Sequence, residues 1–285
     1  MFKRIALSAL FISSVYAVGC GGSDSSAEKA QEKLQNPTGS FTKDNASAAF
    51  TANTDTSSKA KSGAGAGALF GASNGREGLR ALSADYLKSD NVRLKAAGYA
   101  LRALDGLGDS GMQCGQPSGD SSSASVDCTC GGGGTASIEM EAESDGSKLV
   151  VDANYDQCKI GDVTLNLSMN MLMTKEKIIT FKKPRTGSLG GMTAGYNILM
   201  NMVGDITTAK ESVKADIAYL SQDGCIFVSV EVSGTTAGSL TFGTCGSDYV
   251  IQGKNGEWTC SGNSCVSSDN GEKFDFTKEG TPAGQ

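Results

Sequence analysis

Residues 163–173 read VTLNLSMNMLM. Val163, Leu165, Leu167, Met169, Met171 and Met173 recur at every second position, with Thr164, Asn166, Ser168 and Asn170 between them. A period of two sends successive side chains to opposite faces of an extended chain, so this stretch predicts a long strand with one buried face. The pattern continues on both sides. Upstream, Ile138, Met140 and Ala142 alternate with Glu139, Glu141 and Glu143, and Leu149, Val151, Ala153 and Tyr155 follow the Asp145-Gly146 turn signal as a hairpin. Downstream come apolar runs at 178–181, 196–203, 213–219, 226–232, 239–242, 249–251 and 258–260, most of them separated by Gly, Asn or Asp. About ten strands at short spacing, without helical pattern between them, predict a mainly β fold. The expected form is an antiparallel meander, either a curved sheet or a barrel. One or two N-terminal helices should cover it, because Leu79, Leu82, Tyr86, Leu87, Leu94, Ala97, Leu101 and Leu104 fall at helical spacing within 77–107.

Composition narrows the function classes. The chain has 285 residues with 38 Gly, 9 Cys and no His. Without imidazole there is no Ser-His-Asp or Cys-His nucleophile pair and no His-ligated zinc. Gly108–Gly111 (GDSG) resembles the nucleophile segment of chymotrypsin-like proteases, but no histidine exists to activate Ser110. A net charge of −6 gives no basic surface for nucleic acid. Gly131–Gly134 lacks the lysine and the strand-to-helix context of a phosphate loop. We expect no enzyme activity, no catalytic residues, no resident metal and no cofactor.

Residues 1–20 read MFKRIALSALFISSVYAVGC. Lys3 and Arg4 precede an apolar stretch from Ile5 to Val18, too short for a comfortable transmembrane helix. Small residues then lead into Cys20. These twenty residues resemble a bacterial lipoprotein precursor with its lipobox. The resemblance implies cleavage of residues 1–19, acylation of Cys20, and anchoring of the chain in a lipid bilayer. Two or three acyl chains suffice for stable anchoring where one is marginal. Gly21 in place of an aspartate points to the outer membrane of a Gram-negative bacterium.

Residues 20–75 hold few large apolar side chains and include the low-complexity Gly63–Ala68. They read as a disordered tether with at most a transient helix at 27–35, spanning roughly 40 Å as a flexible coil. Residues 76–285 form the helix-plus-β domain.

Eight cysteines remain beyond Cys20: Cys114, Cys128, Cys130, Cys158, Cys225, Cys245, Cys260 and Cys265. An even number in an exported chain predicts a disulfide framework. A turn at 233–238 places Cys225 opposite Cys245, and Cys260 and Cys265 flank a tight loop. The other four then pair among themselves, with Cys128 and Cys130 on one strand face and so bonded to different partners. The competing reading is a thiolate metal site built on the Cys128-Thr-Cys130 spacing.

Met169, Met171, Met173, Met200 and Met202 bring five thioethers to neighbouring strands. They suit core packing first, then the lining of an apolar-ligand cavity, then Cu(I). The sequence therefore describes a lipid-anchored envelope protein with a structural or surface-interaction role toward an envelope protein partner. The alternative is a carrier of an apolar ligand or lipid in a Met/Leu-lined β cavity.

Overall fold

The protein is described by a computed structural model covering residues 23–61, 112–115, 118–119, 123–183, 185–187, 196–209, 212–233, 237–245 and 248–276. The amphipathic pattern at 77–107 and the lipobox with Cys20 lie outside the described residues. Among the described residues fourteen strands form one antiparallel sheet. In chain order they are β1 (Met112–Cys114), β2 (Ser118–Gly119), β3 (Ser123–Cys130), β4 (Thr135–Ala142), β5 (Lys148–Ile160), β6 (Val163–Thr174) and β7 (Asn197–Thr208). They continue with β8 (Ser212–Gln222), β9 (Cys225–Val232), β10 (Gly238–Cys245), β11 (Asp248–Gly253), β12 (Gly256–Ser261), β13 (Ser264–Ser267) and β14 (Lys273–Asp275). Each strand pairs with the next along the chain, except that β2 hangs off β3 beside β1. Among the described residues β1 and β14 do not meet, so the sheet is an open, curved meander and not a closed barrel. Among the described residues the edge strands are short, with β1 and β14 of three residues each and β2 of two, which limits the unpaired backbone offered to other chains.

The turns follow from local chemistry. Asp223 and Gly224 both take positive φ (53° and 74°) in the two-residue link between Gln222 and Cys225, as a tight hairpin with right-handed strand twist requires. Residues 178–181, expected as a strand, instead form an irregular segment clipped to the sheet. The buried Gln222 amide accepts from the Ile178 and Ile179 N–H groups (2.7 and 3.0 Å) and donates to the Ile179 carbonyl (2.7 Å).

Alternation sorts the side chains onto two faces. On one, directly opposed residues make an apolar row across nine successive strands: Met140, Val151, Met171, Met200, Tyr219, Val228, Phe242, Ile251 and Trp258. On the other, Leu172, Leu199, Leu220 and Phe227 are opposed in the same way. Leu172 interrupts the polar positions of β6 because the sheet is covered there on both faces.

The covering element is α1 (Ser23–Gln35). Ala27, Ala30 and Leu34, spaced three and four apart, line one side of this helix and pack on Leu199, Ala218, Leu220 and Phe227. A second helix, α2 (Ala46–Lys61), packs on the methionine-bearing face through Ala46, Ala49 and Phe50. Phe50 stacks on Phe276 and meets Phe242 and Tyr249 edge-on, at centroid distances of 4.9, 5.3 and 5.4 Å. The expectation of a disordered tether across 20–75 therefore does not hold for 23–61. That expectation averaged over composition, whereas a few well-spaced apolar residues suffice. Leu34, Phe41 and Phe50 are buried, and each such side chain contributes about 1.5–3 kcal/mol of burial.

Between the helices the chain threads a notch at the sheet end. Gly39 N–H donates to the Ser239 carbonyl (2.8 Å), and the Gly39 carbonyl accepts from Lys254 N–H (2.8 Å). The Asn255 amide then clasps Phe41, accepting from its N–H (2.9 Å) and donating to its carbonyl (2.7 Å). Thr42 and Asn45 form a capping box for the 3-10 turn Lys43–Asn45 that leads into α2.

Candidate functional site

The cysteines form a framework of cross-links. Cys225 bonds Cys245 and Cys260 bonds Cys265, each joining directly neighbouring strands (Cα–Cα 4.4 and 4.1 Å). Both pairings are those the hairpins predict. Cys130 bonds Cys158 with Cα atoms 5.3 Å apart, joining β3 to β5 beyond the end of β4. Cys128 is also disulfide-bonded, and Cys114 stands directly opposite it in the β1–β3 register. The two thiols of Cys128-Thr-Cys130 thus go to different partners, each in a disulfide and not a thiolate ligand.

The tetraglycine turn belongs to this framework. Gly132 N–H donates to the Lys159 carbonyl and Lys159 N–H to the Gly133 carbonyl (2.9 and 2.8 Å). The turn thereby lies against the bulge between Tyr155 and Cys158, where Gln157 takes φ 46°. A Cβ on Gly134 would stand 2.0 Å from the Gln157 carbonyl oxygen, so only glycine fits.

The five methionines stand together. Met169 opposes Met202, Met171 opposes Met200, and Met173 opposes Ile198 across β6 and β7. Met169, Met171, Met173 and Met202 are buried and Met200 is partly so, within a core shared with Val151, Ala153 and Leu167. Their thioethers face apolar neighbours, an arrangement suited to adaptable packing and to contact with an apolar guest. Glu139 and Glu141 are exposed on the opposite face.

Two features had no clear sequence signal. Phe41, Trp258 and Phe274 pack together with centroids 5.0–5.9 Å apart. They form one wall of a cleft of about 550 Å³ rimmed by Lys43, Glu272, Lys273 and Asp275. Arg185 pairs with Glu257 while Lys183 lies 3.9 Å from the same carboxylate. Burial alone would raise the Glu257 pKa, but the hydrogen bond and charge of Arg185 outweigh it and hold the group below the ordinary carboxylate value. Burial raises the phenol pKa of Tyr155, and that of Tyr219 to about 12 despite its hydrogen bond to Ser221.

These features define a class: an open antiparallel β-sheet of many strands, braced by disulfides, with, among the described residues, one helix on each face. The chain matches no protein-family model, and no curated protein and no solved structure is significantly similar to it.

Proposed function

We propose that the chain is a lipid-anchored bacterial envelope protein, held through Cys20, whose sheet serves a structural or surface-interaction role. The supporting observation is the joint occurrence of the lipobox at residues 1–20 with a body whose described cysteines are disulfide-bonded. Disulfides persist in oxidising compartments outside the cytosol, where a lipobox would deliver the chain. On this reading the bilayer is one partner, an envelope protein is another, and the outer membrane is the site of residence. No catalytic step is assigned to any side chain. Palmitate labelling of wild type and Cys20→Ser, followed by intact-mass analysis, tests the anchor. Acylation that survives Cys20→Ser, or its absence from wild type, would remove this reading.

A second reading has its own observation. The apolar row across nine strands, with methionines opposed in its β6–β7 section, offers a flexible lining for an apolar ligand or lipid. Native mass spectrometry of the chain purified from the envelope separates the two. A co-purifying lipid mass favours a carrier, and a bare protein mass favours the interaction role.

A further inference from the structure

We infer that the sheet surface around Val203, on the α1 side of β6 and β7, is held against phospholipid headgroups by a leash too short to let the body stand off. This rests on the lipoprotein reading, in which acylated Cys20 is the mature N-terminus. Five residues lie between Cys20 and Ser26, and the six steps of chain from one to the other hold their Cα atoms to at most about 20–22 Å apart whatever the intervening conformation. Ser26 is fastened to the sheet, for its hydroxyl accepts from Asn201 Nδ2 on β7 (3.0 Å). The helix that follows is docked along its length. Ala30 and Leu34 are fully buried, Lys33 pairs with Asp216 on β8, and the Leu34 carbonyl accepts from Thr241 Oγ1 on β10 (2.9 Å). A docked helix cannot act as a coil, so no tether of tens of residues separates lipid and body.

The surface beside that fastening suits an interface between water and headgroups. Val203 is 48 % exposed, an unusual state for a large apolar side chain among the described residues, and it lies on the same face as Asn201. Ser168 stands directly opposite it and donates to Asn154 Oδ1 (2.7 Å). Neighbouring Asn170 donates to Asp152 (2.7 Å), giving that carboxylate a partner. Asp216 stands directly opposite Val203 on the β8 side, where Lys33 supplies its counter-charge. The half-exposed valine thus sits among amides, hydroxyls and an ion-paired carboxylate, a surface that the nearby acyl anchor would hold at the headgroup layer without entering it.

The test uses the full acylated chain carrying Val203→Trp, bound to phosphatidylethanolamine–phosphatidylglycerol vesicles with and without phosphatidylcholine bearing a headgroup nitroxide. Trp258, 4 % exposed, is subtracted using the unsubstituted protein. The nitroxide should diminish emission from V203W, and a forty-residue Gly/Ser insert between Gly22 and Ser23 should restore it. Equal emission with and without nitroxide, in protein whose acyl mass and flotation with vesicles are confirmed, overturns this inference and leaves the anchor standing. Absence of both acyl mass and flotation overturns the two together.

Discussion

Gly39 and Gly238 meet backbone to backbone where the irregular segment between α1 and α2 crosses the sheet end. A Cβ on Gly238 would stand 2.7 Å from the Gly39 nitrogen and 2.8 Å from Thr38 Oγ1, and Gly238 itself takes φ +138°. Thr38 fills the remaining space, accepting from the Ser239 N–H (3.0 Å). The passage of the chain from one face to the other depends on this contact.

Gly238→Ala should therefore destabilise the fold by about 1–3 kcal/mol, combining left-sided backbone strain with a clash against main chain that has nowhere to move. Gly39→Ala should cost less, because its Cβ would approach Gly238 no closer than 3.0 Å and its φ is not positive. Guanidinium unfolding midpoints would rank the two, and a harmless Gly238→Ala would contradict the close crossing.

Leu34→Ala distinguishes a docked α1 from a free segment. Leu34 is fully buried against the sheet, and emptying such a site costs about 2–5 kcal/mol. Were residues 27–35 a transient helix in solvent, the change would fall within about 0.5 kcal/mol. The same titration reads both outcomes.

The sheet was legible because period-two alternation is a long-range pattern that turn residues merely punctuate. Residues 163–173 and their neighbours place β4 through β12, and the hairpins give Cys225–Cys245 and Cys260–Cys265 directly. What stayed hidden was non-local. The runs Ile198-Leu199-Met200, Ala218-Tyr219-Leu220 and Ile226-Phe227-Val228 are apolar at consecutive positions, which marks strands covered on both faces. They already implied a cover opposite the methionine side. Its identity could not be read, because Ala27, Ala30 and Leu34 are weakly apolar on average and gain their meaning from Leu199 and Phe227. Val203 is likewise visible only in three dimensions, since in sequence it continues the apolar run of β7.

The disulfides should differ in worth according to the loops they close. Cys130–Cys158 spans 28 residues and Cys260–Cys265 spans 5. Loop-closure entropy alone then assigns about 3.5 kcal/mol to the first and about 2 kcal/mol to the second. Replacing both members of each pair with Ala, and comparing unfolding free energies, should reproduce that order. Equal losses would show that local packing, and not chain entropy, dominates.

Tyr155→Phe should leave stability at neutral pH unchanged or raise it by up to about 1 kcal/mol. The Tyr155 hydroxyl is buried with no hydrogen-bond partner among the described residues, so its removal relieves a desolvated polar group. The alkaline limb gives an independent check. Burial holds the folded phenol above the ordinary value of 10.0, so the unfolded chain ionises first. The stabilising contribution is therefore full below about pH 10 and declines above it. The variant should lose less stability than wild type between pH 10 and 11, and coincident pH profiles would contradict the burial of the hydroxyl.

Glu257 governs the acid side with the opposite sign. Its pKa is depressed below 4.5 because the Arg185 hydrogen bond and charge exceed the cost of burial. The stability it contributes is thus present above about pH 4.5 and is lost as the pH falls through the lower, folded value. Glu257→Gln should cost about 1–3 kcal/mol at pH 7 by leaving the partly buried Arg185 guanidinium without its counter-charge. The difference from wild type should shrink toward pH 3, where the wild-type carboxylate becomes protonated. The pair also ties the segment after Phe181 to β12, so hydrogen exchange at residues 181–187 should accelerate in the variant at neutral pH. Parallel stability profiles for the two proteins from pH 7 to pH 3 would show that Arg185 does not hold the carboxylate ionised.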